Sequence, residues 1–239
     1  MCRECSTGTL SRRGLLAGGL ALSGALALSM TMPFASRAFA DEAQPVSPDE
    51  ALKRLVEGNE RYVANAAINT DHSVGRSKRS LGQKPFAAIV TCADSRVVPE
   101  LIFDQGPGEL FVIRVAGNFI NEDGLASLEY GVAVLGIQAI LVLGHTACGA
   151  VDATIKSIRD NALPPGHLPS LVNAIRPAVY DVMADKPADL LAAATAKNAQ
   201  LNAEVARSAG PILSAQHTAG KLKSGAGIYD IATGKVSFI

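Results

Sequence analysis

Three short apolar runs set the frame for this chain: Phe86 to Thr91, Glu109 to Val115 and Ala139 to Leu143. Each is short for a helix and too uniformly apolar for a strand with one wet face. Each therefore reads as a strand buried on both sides. Helix-like stretches separate them at Pro99 to Phe103 and Leu125 to Leu135, and another follows at Gly149 to Ile158. Strands alternating with helices specify an α/β fold, with a central, mostly parallel β-sheet flanked by helices. In such sheets, chemistry gathers in the crevice beyond the carboxyl ends of the strands.

The rest of the chain fits around that sheet. Ser47-Pro48-Asp49-Glu50 is a helix start, with serine as cap, proline at the first helical position and Glu50 completing a capping box. Leu52, Leu55, Val56, Asn59, Tyr62 and Val63 then share one stripe of an amphipathic N-terminal helical arm. From Asn65 to Lys84 the pattern fails, and an irregular segment is expected. Asp185 to Ala209, rich in alanine and leucine, reads as one long helix. Gly227 to Ile231, then Ala-Thr-Gly, then Lys235 to Ile239 predict a C-terminal β-hairpin.

Residues 1–40 read as an export signal rather than as fold. Arg12 and Arg13 precede a Gly- and Ser-diluted apolar stretch, Leu15 to Met32, which leads to an A-x-A cleavage site at Ala38-Phe39-Ala40. The paired arginines resemble a twin-arginine signal, so the expected partner is the twin-arginine export machinery. The expected location is periplasmic or extracytoplasmic after cleavage near Ala40. Residues 41–239 then form a single domain. Without the signal, 18 basic and 21 acidic residues remain, a net charge of about −3. That balance offers no electrostatic case for nucleic-acid binding.

Cys2 and Cys5 leave with the signal, so Cys92 and Cys148 are the thiols of the mature chain. In an exported protein, two cysteines first suggest a disulfide. His145-x-x-Cys148 at the turn after the third strand offers another use. With Cys92 it makes a Cys2His donor set, the three-ligand pattern of catalytic zinc sites. His72, His167 and His217 have no ligand-like spacing to these residues. Spacing alone leaves disulfide and metal both open. Asp94 and Arg96 tip the balance toward metal, because a carboxylate beside a metal needs a partner and Arg96 can clamp it with two bonds.

Cys92-x-Asp94-x-Arg96 followed by His145-x-x-Cys148-Gly149 resembles the signature of the β-class carbonic anhydrases. The resemblance extends from about Asp49 to the C-terminal hairpin and includes Pro107 to Phe111 and Arg114 to Asn118. It implies zinc held by Cys92, His145 and Cys148, and reversible hydration of carbon dioxide to bicarbonate through zinc-bound hydroxide. Asp94, aimed by Arg96, would orient the hydroxide; in closed states of the family the same aspartate ligates zinc. Gln83, Phe111 and Tyr130 match pocket residues of the plant-like type, whose site is open. The amide of Gly149 could face an anion at a helix start. The resemblance also implies a homodimer or homotetramer, with the N-terminal helix wrapping a neighbour and pocket residues contributed across the interface. An enzyme for carbon disulfide or carbonyl sulfide would share these motifs, and a closed zinc-storage site would share the ligands.

Overall fold

Every residue of the strand Ala87–Thr91 (β1) is buried, as an inner strand of a parallel sheet must be. The computed structural model describes residues 46–239. The export-signal features, Arg12, Arg13, the Leu15 to Met32 stretch and Ala38 to Ala40, lie outside the described residues, as do Cys2 and Cys5. Ahead of β1 lie α1 (Pro48–Val63) and the four-residue α2 (Arg76–Arg79). After it come α3 (Pro99–Ile102), β2 (Leu110–Arg114), α4 (Glu122–Ala133), β3 (Ala139–His145) and α5 (Gly149–Arg159). The chain continues through α6 (Leu168–Met183), α7 (Leu190–Ser208) and α8 (Ile212–Thr218) to β4 (Lys223–Tyr229) and β5 (Val236–Phe238). Among the described residues, no helix is long and apolar enough to cross a membrane.

The five strands are ordered β2-β1-β3-β4-β5. β1 runs parallel to both β2 and β3, β3 parallel to β4, and β4 antiparallel to β5 as the expected hairpin. The chain leaves β1 toward one side for β2 and returns to β1's other side for β3. That reversal opens a crevice at the carboxyl ends of β1 and β3, where doubly wound sheets place their ligands.

Alternation divides the strands between two layers. Ala87 and Ile89 face Ala51 and Leu55 of α1 and Ile102 beside Phe103. Ala88 and Val90 face Leu128 of α4, Ala199 and Ala203 of α7, and Leu213 of α8. The N-terminal arm is docked on its own chain. Gly58 approaches the Phe103 carbonyl so closely that a Cβ would sit 1.8 Å from the oxygen. Buried Asn59 donates to the carbonyls of Ile102 and Gly234 and accepts from the Val236 amide, tying α1 to the hairpin.

The structure departs from the sequence reading in several places. The Ser47 hydroxyl accepts the Glu50 amide as a cap should, but the Glu50 carboxylate turns toward Lys53 and Arg54 instead of completing the box. The segment expected to be irregular contains α2. The expected helix from Asp185 begins only at Leu190, where Asp189 caps it through the Ala192 amide. Lys186 at φ 48° turns the chain just before Pro187. Finally, α6 was not expected, because it contains Pro169 in its first turn and Pro177 inside.

Candidate metal centre

Two strand ends and one tight turn build the site. Cys92 follows β1 directly and keeps the alternation of Ala88 and Val90, so its side chain points toward α5 and α6. His145 is the last residue of β3, two residues beyond the expected end of that strand. Thr146 and Ala147 then reverse the chain, with Ala147 at φ 57°, a conformation that costs a non-glycine residue about 1–2 kcal/mol. The turn sets Cys148 at the N-cap of α5. One sulfur from each cysteine and a ring nitrogen of His145 lie within 4.8 Å of one another, and all three residues are buried. The cysteines form no disulfide.

The donor atoms are prepared for a cation. His145 Nδ1 lies 2.9 Å from the Thr146 carbonyl. A carbonyl only accepts, so Nδ1 carries the proton and Nε2 presents its lone pair. That Nε2 is buried without a hydrogen-bond partner, a costly state unless something else uses the lone pair. The Gly117 amide donates to Cys92 Sγ at 3.3 Å. The proximity of Cys148 holds the Cys92 thiol down to about 4 against the effect of burial, with help from His145 and the Gly117 and Asp94 amides. The Cys92 thiolate and burial push Cys148 up. Two adjacent sulfurs cannot both ionise without a cation, and a dication removes that conflict. Burial opposes protonation of His145, but the Cys92 sulfur and the Thr146 carbonyl outweigh it and raise its pKa. Two thiols and one imidazole with an unused lone pair form a fitting set for zinc.

Asp94 stands beside this cluster, with Oδ2 4.0 Å from His145 Nε2. The Arg96 amide and Nε donate to Oδ1 at 3.0 and 2.9 Å, and Nη2 donates to Oδ2 at 2.7 Å. This fork, opposed by partial burial, holds the carboxyl well below the ordinary carboxylate range. Asp94 is thus ionised at any working pH. It lies outside the three-donor cluster, with both oxygens engaged by Arg96.

The structure therefore brings Cys92, Asp94, Arg96, His145 and Cys148 together, with Gly149 opening α5 beside them. Gly149 is exposed, and a Cβ there would meet nothing within 4 Å. Gln83, Phe111 and Tyr130 are placed elsewhere within the chain. Phe111 pairs with Ala88, about 13 Å back along the sheet from Cys92, and packs into the α4 layer. Tyr130 lies half exposed on α4, and Gln83 is exposed before β1.

Three supporting residues had no role in the sequence reading. Arg114, at the end of β2, donates to the carbonyls of Cys92 and Asp94 and braces the loop between them. Thr146 carries the carbonyl that orients His145, and its own amide and hydroxyl engage Tyr229 and Ile231 of the hairpin region. Gly117 supplies the amide on the Cys92 sulfur. Arg114 and Gly117 stand in a segment flagged by resemblance, but no spacing rule assigns their bonds.

A family model described as "Carbonic anhydrase" matches residues 87–236, well over half of the chain. Carbonic anhydrase 2 of Mycobacterium tuberculosis is 48% identical over 134 residues, covering 56% of this chain and 65% of that protein. The match thus spans just under two thirds of that relative. Among solved structures, the β-carbonic anhydrase CcaA superposes with a TM-score of 0.60 at 29% identity, covering 79% of this chain and 98% of that one. A Coccomyxa β-carbonic anhydrase in complex with acetazolamide gives a TM-score of 0.57 at 30% identity, covering 79% and 86%.

Proposed function

The chain belongs to the carbonic anhydrase family, with the fold of its β class, and from that premise we propose that it is a zinc enzyme for the reversible hydration of carbon dioxide to bicarbonate and a proton. The observation that carries this reading is the buried Cys92–His145–Cys148 cluster with an arginine-clamped carboxylate 4.0 Å from its imidazole. Zinc, when bound there, supplies a water acidified from a pKa of about 15.7 toward about 7. The chain's residues do the remaining work. Cys92, Cys148 and His145 Nε2 hold the ion. Asp94, fixed by Arg96, presents a permanent acceptor that orients the attacking oxygen toward carbon dioxide. Its engagement with Arg96 supports the open-site type, in which Asp94 orients rather than ligates. Gly149, exposed at the first position of α5, would offer its amide to an anion.

Gln83, Phe111 and Tyr130 enter this proposal as wall residues for the pocket of a neighbouring copy in a homodimer or homotetramer. The exposure of Gln83 and Tyr130, and the position of Phe111 back along the sheet from the cluster of its own chain, support that assignment. The export reading of residues 1–40 belongs to the proposal as well: the twin-arginine route carries folded chains, so zinc would be loaded before both thiols meet the periplasm.

The deciding experiment measures zinc content and carbon dioxide hydration together on the form beginning at Asp41, purified from the periplasm. Stoichiometric zinc with zinc-dependent hydration is expected. A metal-free protein with a Cys92–Cys148 disulfide, or a zinc protein without hydration activity, would overturn the reading.

A further inference from the structure

Helix α7 buries two amides in a face otherwise made of alanines and Thr195. Asn198 is 1% exposed and Asn202 7%, among buried Ala194, Ala199, Ala203 and Ala206. Burying an amide is costly unless its polar atoms are paired, so the pairing shows what the residues are for. Asn198 Nδ2 donates to the Gly117 carbonyl at 2.8 Å. Asn202 Oδ1 accepts the Ile120 amide at 2.7 Å. Asn202 Nδ2 donates to the Asn198 carbonyl at 2.9 Å and to Asn198 Oδ1 at 3.3 Å. That last contact fixes which way the Asn198 amide faces: its oxygen turns to Asn202 and its nitrogen to Gly117. The two asparagines, one helical turn apart, thus grip the loop between β2 and α4 at two points.

One of those points is next to the metal cluster. The Gly117 amide donates to Cys92 Sγ, and the Gly117 carbonyl accepts from Asn198, so both bonds flank one Cα. Gly117 has φ 87°, and a Cβ there would lie 2.4 Å from Ile175 Cδ1. Glycine lets the backbone take this left-handed turn against Ile175, but glycine is also the residue freest to rotate away. Something must hold the peptide in place. We propose that Asn198 is a positioning residue for the metal centre, acting through the Gly117 peptide to keep an N–H bond on the Cys92 sulfur. An amide on a thiolate withdraws charge from it, and so tunes the metal through a group outside the ligand set. The inference rests on the metal-centre reading above, but not on which reaction the centre performs.

The test uses metal-substituted protein and needs no turnover. With cadmium-113 in the site, the wild-type Gly117 amide proton is expected to show scalar coupling to the metal through Cys92 Sγ. In Asn198→Leu that coupling is lost, and with cobalt(II) in the site the thiolate charge-transfer band moves to lower energy. Asn59→Leu removes another buried asparagine, one whose bonds go to Ile102, Gly234 and Val236 and to no residue of the cluster. It is expected to lower the melting temperature comparably and leave both signals unchanged. Should Asn198→Leu fail to fold, Asn198→Ser serves, and the wild-type coupling still decides. Absence of that coupling in the metal-loaded wild type, or a folded Asn198 variant with unchanged coupling and band, overturns the proposal. A chain that takes up neither metal would instead overturn the metal-centre reading, a different and separable result.

Discussion

The metal end of the sheet and the segment that leads into it are built on opposite terms. At the ends of β1 and β3, the three donors are 4% exposed or less, and their neighbours are bonded by Arg96, Arg114, Thr146 and Gly117. Before β1, the segment around α2 leaves Ile68 71%, Val74 66% and Leu81 76% exposed, with Arg76, Lys78 and Arg79 among them. Tyr130 on α4 is 49% exposed. The first region is complete within one chain. The second presents large apolar side chains to water, where the proposed oligomer would offer them cover. Under the proposed function, ligand binding and pocket construction would have different requirements: one would need only the fold, the other association.

Substitutions can break that contrast from either side. The largest effect is expected for His145→Ala, which removes a donor made wholly by one chain; metal content should collapse and hydration fall to background, with association intact by sedimentation. Asp94→Asn comes next. It should keep its zinc while turnover falls about 10²- to 10³-fold, the usual loss when one preorganised partner of the reacting atom is removed. Equal loss of zinc and turnover in that variant would instead place Asp94 among the ligands. Leu81→Ser probes the other region. Burying a leucine is worth about 1.5–3 kcal/mol, so association should weaken roughly ten- to a hundredfold while metal content holds. An unchanged sedimentation profile down to low concentration would remove Leu81 from any interface.

How much of this was legible in the sequence follows the same division. β1 and β3 were readable because both faces are covered, so their apolar runs are continuous; β2, expected to be buried on both sides, is an edge strand with only Leu110 buried, although its bounds match to within a residue at each end. The donor set was readable because Cys92, His145 and Cys148 leave strand ends, where the topology brings them to one crevice. Helix α6 was hidden by Pro169 and Pro177, which normally signal a break, whereas the turn at Lys186 to Asp189 was signalled by Pro187 and the capping Asp189, and the alanine-rich run begins only after them. Arg114, Gly117 and Asn198 act through backbone groups, and a sequence does not display where its carbonyls and amides point. Gln83, Phe111 and Tyr130 stood out only by resemblance, since nothing in their own chain gathers them.

The smallest expected effect concerns the metal end alone, with its metal removed. In the reduced, metal-free chain Cys92 is held at about 4 while Cys148 is pushed up, so one thiolate persists through neutral pH. Unfolded, both thiols return to ordinary values near 9.0. Between about pH 4 and 9 the folded chain therefore binds fewer protons at Cys92 than the unfolded chain, so this group's contribution to stability rises with pH. It is fully present above the unfolded value and lost as pH falls through about 4. Cys148 has the opposite sign, and its contribution declines above about pH 9, where only the unfolded chain ionises it. Thiolate absorbance near 240 nm checks this directly. One thiolate's worth should be present at pH 7, should disappear on acidification through about pH 4, and should be absent at pH 7 in Cys92→Ser. If absorbance instead appeared only as pH rose above about 8, the sulfurs would behave as independent thiols. The cluster would then hold no charge until a cation arrived to stabilise it.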